Sequence, residues 1–398
     1  MLHHLLKLIW KRKSRNMMLS LEILLAFMVV FAIAAFAVRS YQLYQTPTGF
    51  AWRDQWSVGI RNAQPIPNDA AMYDMLKRSL LELPEVEKVA FASFSTYEMS
   101  RWNGYYSLPD GSGRVEIDGM GVSDDFFDVM QIPAPAKGRW FSKADDAADA
   151  APTVINRRLA DKLFPGIDAV GQVFIDAETK DKPQRYRVSA VIEHFRPQGE
   201  YMDPVYFMLP RFIPGVGGEP AMTILLRVKP GTPRAFEARL STLLKREHND
   251  WSYVITPQSA ARTSMLNLQM MPLMIMSVIA AFLLVMVAFG LFGVLWQNTT
   301  QRIPEIGLRR ALGADAGHIY RQIIAEQMLL STAAMAVALV LLIQLPLTVV
   351  FEESLNWPVF LTATALSAGV IYLLSLLCSL YPGWRAARLS PTQALHYE

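Results

Sequence analysis

Apolar positions along this chain gather into four long runs, roughly residues 17–38, 272–295, 323–345 and 360–380. A helix needs about 20 apolar residues to cross a bilayer, so each run is predicted as a membrane span. Ahead of the first run, Leu2, Leu5, Leu6, Ile9 and Trp10 interleave with Lys7 and Lys11 at helical spacing. Residues 1–16 are therefore expected to form an amphipathic helix on the membrane surface, basic side toward anionic lipid. Ala35-Phe36-Ala37 has the small-x-small form of a signal cleavage site. The run before it is longer than a signal core of 7–15 residues, so it is expected to remain as a span.

Lys and Arg in the short flanks predict the orientation. Lys7, Lys11, Arg12, Lys13 and Arg15 precede the first span. Arg302, Arg309, Arg310 and Arg321 lie between the second and third, and Arg385 and Arg388 follow the fourth. The loop between the third and fourth carries Glu352 and Glu353 and no basic residue. Both termini and the 296–322 loop are thus expected in the cytoplasm. Residues 39–270 then form a domain outside it, large enough for its own core.

In that domain the pattern changes to short elements. Trp56–Ile60 alternates like a strand, Asn68 or Asp69 can cap a helix to about Leu83, and Val86–Phe94 reads as a strand. The same order recurs as Met222–Val228, Ala235–Arg246 and Trp251–Ile255. Two such units, about 50–100 and 219–260, predict a membrane-proximal α+β part split by an inserted subdomain, about 101–218. Within the insert, Val115–Val122, Thr153–Ile155, Gln172–Asp176 and Tyr186–Glu193 read as strands, the last two as a hairpin-like pair. Asp124–Met130 and Arg157–Phe164 read as helices. The expected fold class is a four-span α-helical membrane protein, in 1+3 order, with a large two-part α+β extracytoplasmic domain.

Composition then removes several functions. Of the 398 residues, 52% are hydrophobic and only 18% charged, against about 25% charged in soluble domains. Residues 39–270 hold 27 Lys and Arg against 28 Asp and Glu, so the net charge of +3 arises in the cytoplasmic flanks. That is a topology signal; nucleic-acid binding would need a clustered basic face. Cys378 is the single cysteine, which excludes an internal disulfide and a Cys-based metal centre. No HExxH, phosphate loop or GxSxG occurs. The clusters Asp124-Asp125, Asp128 and Asp145-Asp146 read as caps and solvated faces, and the Met-rich 265–286 segment as soft packing. No catalytic residue, metal site or resident cofactor is expected.

Several motifs resemble one family. Ile117–Phe127, Lys137-Gly138-Arg139-Trp140-Phe141, Pro152–Asn156, Leu159–Phe164 and Val170-Gly171-Gln172 are similar to the periplasmic core domain of MacB-type ABC transporter permeases. Arg302-Ile303-Pro304-Glu305-Ile306-Gly307-Leu308-Arg309-Arg310-Ala311-Leu312-Gly313-Ala314 resembles the FtsX-like permease motif, and Tyr381–Leu395 the family's C-terminal ending.

The resemblance implies an FtsX-like permease region over 271–398. It also implies a coupling helix, about 302–313, that docks on an ABC ATPase. Arg302, Pro304, Glu305, Ile306, Gly307, Leu308, Arg309, Arg310 and Gly313 would carry that role. From the residues alone, Pro304-Glu305 suits a helix start and Gly313 a left-handed end, although a plain basic loop would also satisfy the charge rule. Ile306, Leu308 and Leu312 are expected to supply apolar contacts. Pro382, Arg385, Arg388 and Pro391 mark a cytoplasmic tail motif.

MacB carries its ATPase on the same chain, whereas this sequence has no phosphate loop. A separate dimeric ABC ATPase, using ATP and Mg, is therefore the expected partner. A second permease copy or a sibling permease would complete the membrane part. A periplasmic adaptor and outer-membrane channel would fit efflux of a hydrophobic peptide, antibiotic or siderophore, and membrane lipid surrounds the spans. Location in the bacterial inner membrane, with the large domain in the periplasm, is implied. The expected mechanism is mechanotransmission, in which ATPase closure moves the outer domain. Lipoprotein release, or FtsX-like regulation of a cell-wall hydrolase, are the alternatives, and a membrane-anchored enzyme lacks a catalytic set. Glu22 and Glu326 are ionisable residues in or at spans, which makes them functional candidates. Both are near an interface, where snorkelling or pairing, for Glu22 with Arg12 or Arg15, is the favoured explanation.

Overall fold

The computed structural model describes residues 13–62, 65–179, 182–216, 219–347 and 355–388. The predicted 1–16 surface helix therefore lies outside them, apart from the first turn of the first span helix. The chain divides into two units, Leu43–Gln269 and the segments that flank it.

In chain order the elements are α1 (Lys13–Gln45), β1 (Gln55–Arg61), α2 (Ala70–Leu81), β2 (Val86–Ala92), β3 (Trp102–Ser107) and β4 (Val115–Gly119). Next come α3 (Phe126–Val129), β5 (Lys137–Gly138), β6 (Ala151–Asn156), α4 (Arg157–Leu163), β7 (Val173–Asp176), β8 (Arg185–Ile192) and β9 (Phe207–Pro210). The last are β10 (Thr223–Val228), α5 (Phe236–Glu247), β11 (Ser252–Pro257), α6 (Gln258–Thr300), α7 (Ile303–Ala311), α8 (Ala316–Leu342) and α9 (Trp357–Arg388).

The two strand–helix–strand units interleave in the first unit. Their strands form one antiparallel sheet in the order β11-β1-β10-β2, so β10 fills the slot between β1 and β2. Asp69 starts α2 by accepting from the Ala71 N–H at 3.0 Å. Helices α2 and α5 bury Tyr73, Leu76, Phe236 and Leu240 against Trp56, Val58 and Leu226 of the sheet.

The inserted strands make a second sheet, β5-β8-β6-β9-β4-β3-β7, in which β7 also pairs with β8. That extra pairing closes six strands into a ring, leaving β5 as an edge. Closure removes most exposed strand edges. Its core joins Tyr106, Ile117, Phe174, Val188 and Met208 with Leu159 and Leu163 of α4.

The other unit contains helices long and apolar enough to cross a membrane, four of them among the described residues. Leu19, Ile23, Phe27 and Phe31 of α1 pack with Leu291 and Leu295 of α6, Leu330 and Ala338 of α8, and Phe360 and Ala363 of α9. Helices α8 and α9 approach closely because their facing positions are small. The hydroxyls of Ser331 and Ser375 meet there at 2.8 Å, as small and polar residues do between membrane helices.

Two helices outrun their apolar sequences. α6 has 43 residues, about 65 Å at 1.5 Å per residue, roughly twice a hydrocarbon core. It begins at Gln258, ahead of the apolar run that starts near Pro272. α1 continues to Gln45, beyond the predicted end near Val38.

Candidate functional site

Helix α7 has the charge arrangement its macrodipole favours. Pro304 and Glu305 lie in the first turn, and Arg309 and Arg310 in the last. Gly313 follows at φ +95°, where a side chain would strain the backbone. One face of the helix is buried through Ile303, Ile306 and Gly307. Ile306 packs on Ile319 and Ile323 of α8 and Ala386 of α9. Leu308 and Leu312, two of the expected apolar contact residues, are 57% and 80% exposed. Their i, i+4 spacing stacks them on one outward face.

A run of polar contacts fixes α7 on α8. The Arg309 guanidinium donates to Glu305 Oε1 at 2.7 Å and to Gln322 Oε1 at 3.2 Å. Gln322 Nε2 donates to Glu326 Oε1 at 2.8 Å, and Arg302 Nη1 to Glu326 Oε2 at 2.5 Å. Glu326 is thus brought together with three of the predicted coupling residues, which its place in the sequence did not suggest. Arg310 Nη1 donates to the Ala387 carbonyl of α9 at 2.5 Å. The short helix is held on two longer ones by side-chain bonds as well as by Ile306.

Pro382 is buried inside α9, and Arg385 and Arg388 are exposed on it. Pro391 lies outside the described residues. Trp296 of α6 stacks on Tyr381, at 5.8 Å and 6° between rings, and Tyr381 on Trp384 at 6.1 Å. Arg385 lies over the Trp296 ring at 4.3 Å and Arg388 over the Trp384 ring at 4.4 Å. No sequence signal marks this aromatic ladder, because Trp296 is 85 or more residues from Tyr381 and Trp384 and on another helix.

Glu22 faces the backbone of α6. A Cβ added to Gly290 would collide with the Glu22 carboxylate, so glycine makes room for the acid there. Its suggested partners Arg12 and the Arg15 side chain lie outside the described residues.

The Leu43–Gln269 unit holds a joint that no local sequence signal announced. The Arg196 side chain is 2% exposed. Its guanidinium donates to the carbonyls of Leu43 (3.2 Å), Pro47 (3.3 Å), Glu200 (2.9 Å), Met202 (3.1 Å) and Thr46. Leu43 belongs to the last turn of α1, so the cation sits at that helix's negative end. Nearby, Glu200 Oε1 accepts from Arg262 Nε of α6 at 2.5 Å, and Arg262 lies over the Trp52 ring at 4.6 Å. Gln258, fully buried at the start of α6, donates to Ser95 Oγ at 2.7 Å. The 196–202 loop therefore grips both helix ends. Burial pushes the neighbouring Tyr97 phenol well above its usual range.

The acidic clusters of this unit meet cations. The Arg211 side chain, 3% exposed, reaches Asp124 and Asp146 at 2.6 Å each. Lys77 pairs with Asp125, and Lys88 with Asp128 at 2.5 Å. Among the described residues, no group of three or more His, Cys, Asp or Glu is placed to hold a metal ion.

Comparison with known proteins adds a family. A family model described as the MacB-like periplasmic core domain matches residues 18–243, and one described as the FtsX-like permease C-terminal matches residues 277–391. The macrolide export ATP-binding/permease protein MacB 1/2 of Paracoccus denitrificans is 28% identical over 228 residues, 56% of this chain and 33% of that protein. The MacB of Salmonella paratyphi A is 25% identical over 339 residues, 80% of this chain and 48% of its own length. The chain thus spans half or less of these relatives. The periplasmic region of MacB from Actinobacillus actinomycetemcomitans aligns at 12% identity and TM-score 0.39, over 57% of this chain and 98% of that one.

Proposed function

We propose that this chain, which belongs to the ABC transporter permease family with a MacB-like periplasmic core domain and an FtsX-like C-terminal part, couples ATP hydrolysis by an ABC ATPase to movement of its outer domain. The ATPase would be a cytoplasmic dimer bound to two permease copies, or to this chain and a sibling. Both termini and α7 would face it. Export of a hydrophobic peptide, antibiotic or siderophore, with a periplasmic adaptor and outer-membrane channel, is the output we favour. The export proteins among its relatives support that reading.

One observation carries it. Helix α7 is braced on α8 and α9, yet turns Leu308 and Leu312 outward. Two exposed leucines on a helix braced by ion pairs suit a protein partner's groove, and bracing lets a push on α7 reach the long helices. Within the Leu43–Gln269 unit, the Arg196 and Arg262 contacts tie the end of α1 and the start of α6 to the outer domain, which suits movement passed along those helices.

The test is co-purification of the detergent-solubilised full chain with its ATPase. Leu308→Glu with Leu312→Glu is expected to lose the ATPase while melting like the wild type. Glu305→Ala with Arg309→Ala is expected to weaken capture. Unchanged ATPase capture by both variants would refute α7 as the docking element. Capture of a wall hydrolase through the outer domain, without an ATPase, would favour the regulatory alternative.

A further inference from the structure

The tail motif has no role in the coupling reading, and its geometry suggests one. Arg385 and Arg388 are exposed on α9, each stacked on a tryptophan face. Among the described residues neither guanidinium is paired with a carboxylate.

Depth along the helix sets what this surface meets. The apolar run of α9 ends at about Leu380, and Arg385 lies five residues on, about 7.5 Å along the axis. That is the thickness of the headgroup layer on one side of a bilayer. Trp296, Tyr381 and Trp384 are the amphipathic aromatics that favour the same layer. Arg388 is one turn further out, but side chains lean toward the helix N-terminus, and its guanidinium rests at the level of Trp384.

We infer that Arg385 and Arg388, held flat on Trp296 and Trp384, form a binding site for the phosphodiester of an anionic phospholipid. A stacked guanidinium keeps its N–H edge free for two parallel bonds to phosphate oxygens. The aromatic ladder fixes both planes, so little side-chain freedom is lost on binding. By anchoring α9 to the leaflet, the lipid would steady the two helices against which α7 leans.

Lipid retention needs no ATP and no partner, so its outcome is independent of the coupling reading. The full chain is incorporated into nanodiscs of mixed phosphatidylglycerol and phosphatidylcholine, and bound lipid is counted by native mass spectrometry. Wild type is expected to retain phosphatidylglycerol preferentially. Each surface arginine contributes about fivefold, so Arg385→Gln with Arg388→Gln should lower the preference about 25-fold. Trp296→Leu, which removes one platform and leaves both charges, should lower it severalfold. Arg385→Lys with Arg388→Lys keeps the charge without the planar fork and should also fall severalfold. A lysine pair that binds like wild type would reduce the site to general charge attraction and overturn it. So would equal retention of both lipids by wild type, or displacement of the lipid by millimolar inorganic phosphate. Circular dichroism melting of each variant confirms that it is folded.

Discussion

Arg302 Nη1 lies 2.5 Å from Glu326 Oε2, with the two side chains only 15% and 17% exposed. Arg302 is the residue before α7, and Glu326 faces it from the third turn of α8. The pair fixes the angle at which the short helix leaves the long one, and Gln322 and Arg309 extend the hold to Glu305.

Because the pair is mostly shielded, removing one partner leaves a poorly solvated charge. Glu326→Gln is expected to destabilise the membrane unit by about 2 kcal/mol. Arg302→Gln with Glu326→Gln should cost less than the sum of the single changes. Thermal melting of the four proteins in one detergent gives the coupling energy. Strict additivity would show that the contact holds nothing in place.

Gly290 and Glu22 make a second pair that can be tested by size. Gly290→Ala should force the Glu22 carboxylate to turn away from α6, at a cost of about 0.5–1 kcal/mol. Adding Glu22→Ala should restore most of that, since the collision is with the carboxylate. A neutral Gly290→Ala variant would mean that the Glu22 carboxylate does not depend on its place against α6.

At the outer joint, five carbonyls depend on one guanidinium. Arg196→Met should cost about 3 kcal/mol or more, because buried acceptors lose their donors. Arg196→Lys should recover only part, as three ammonium protons on a single nitrogen cannot span the fork. Hydrogen exchange should accelerate at residues 43–48 and 196–202 while β1 and β10 stay protected. Uniform acceleration would instead mean global unfolding.

Asp145 offers a pH test. Arg139 donates to both its oxygens, at 2.8 and 2.6 Å, and this contact, ahead of all others, holds the carboxyl below its usual range. A depressed folded pKa stabilises above the ordinary carboxylate pKa of about 3.9, and the contribution is lost as pH falls through the folded value. Arg139→Gln should raise the Asp145 pKa and flatten that acid limb. Carboxyl-carbon NMR of the labelled protein reads the shift directly, and an unchanged titration would contradict the assignment.

Much of this molecule follows from local pattern. Runs of about 20 apolar residues have one stable form in a bilayer, a helix that satisfies its own backbone, so the four spans and their 1+3 order are legible in the sequence. Asp69, the alternation in Trp56–Ile60 and the recurrence at Met222–Ile255 mark β1-α2-β2 and β10-α5-β11 because caps and period-two faces act over a few residues. Pro304, Glu305 and Gly313 mark α7 in the same way.

Tertiary structure decided what depends on distant partners. Strands β3 and β9 are short and carry Gly104 and Pro210, so only their places in the closed ring make them strands. The polar segments at 39–45 and 258–271 extend α1 and α6 past their apolar runs, beyond any reading by hydrophobicity. The sequence offers Ile306, Leu308 and Leu312 alike as apolar contacts, and only the packing shows that Ile306 takes the buried face of α7 while the two leucines turn outward. Arg196 on Leu43, Arg302 on Glu326 and Arg385 on Trp296 join residues from 24 to 153 positions apart. Sequence spacing encodes which face of an element a side chain takes; which other face it meets is set by the packing of the whole chain.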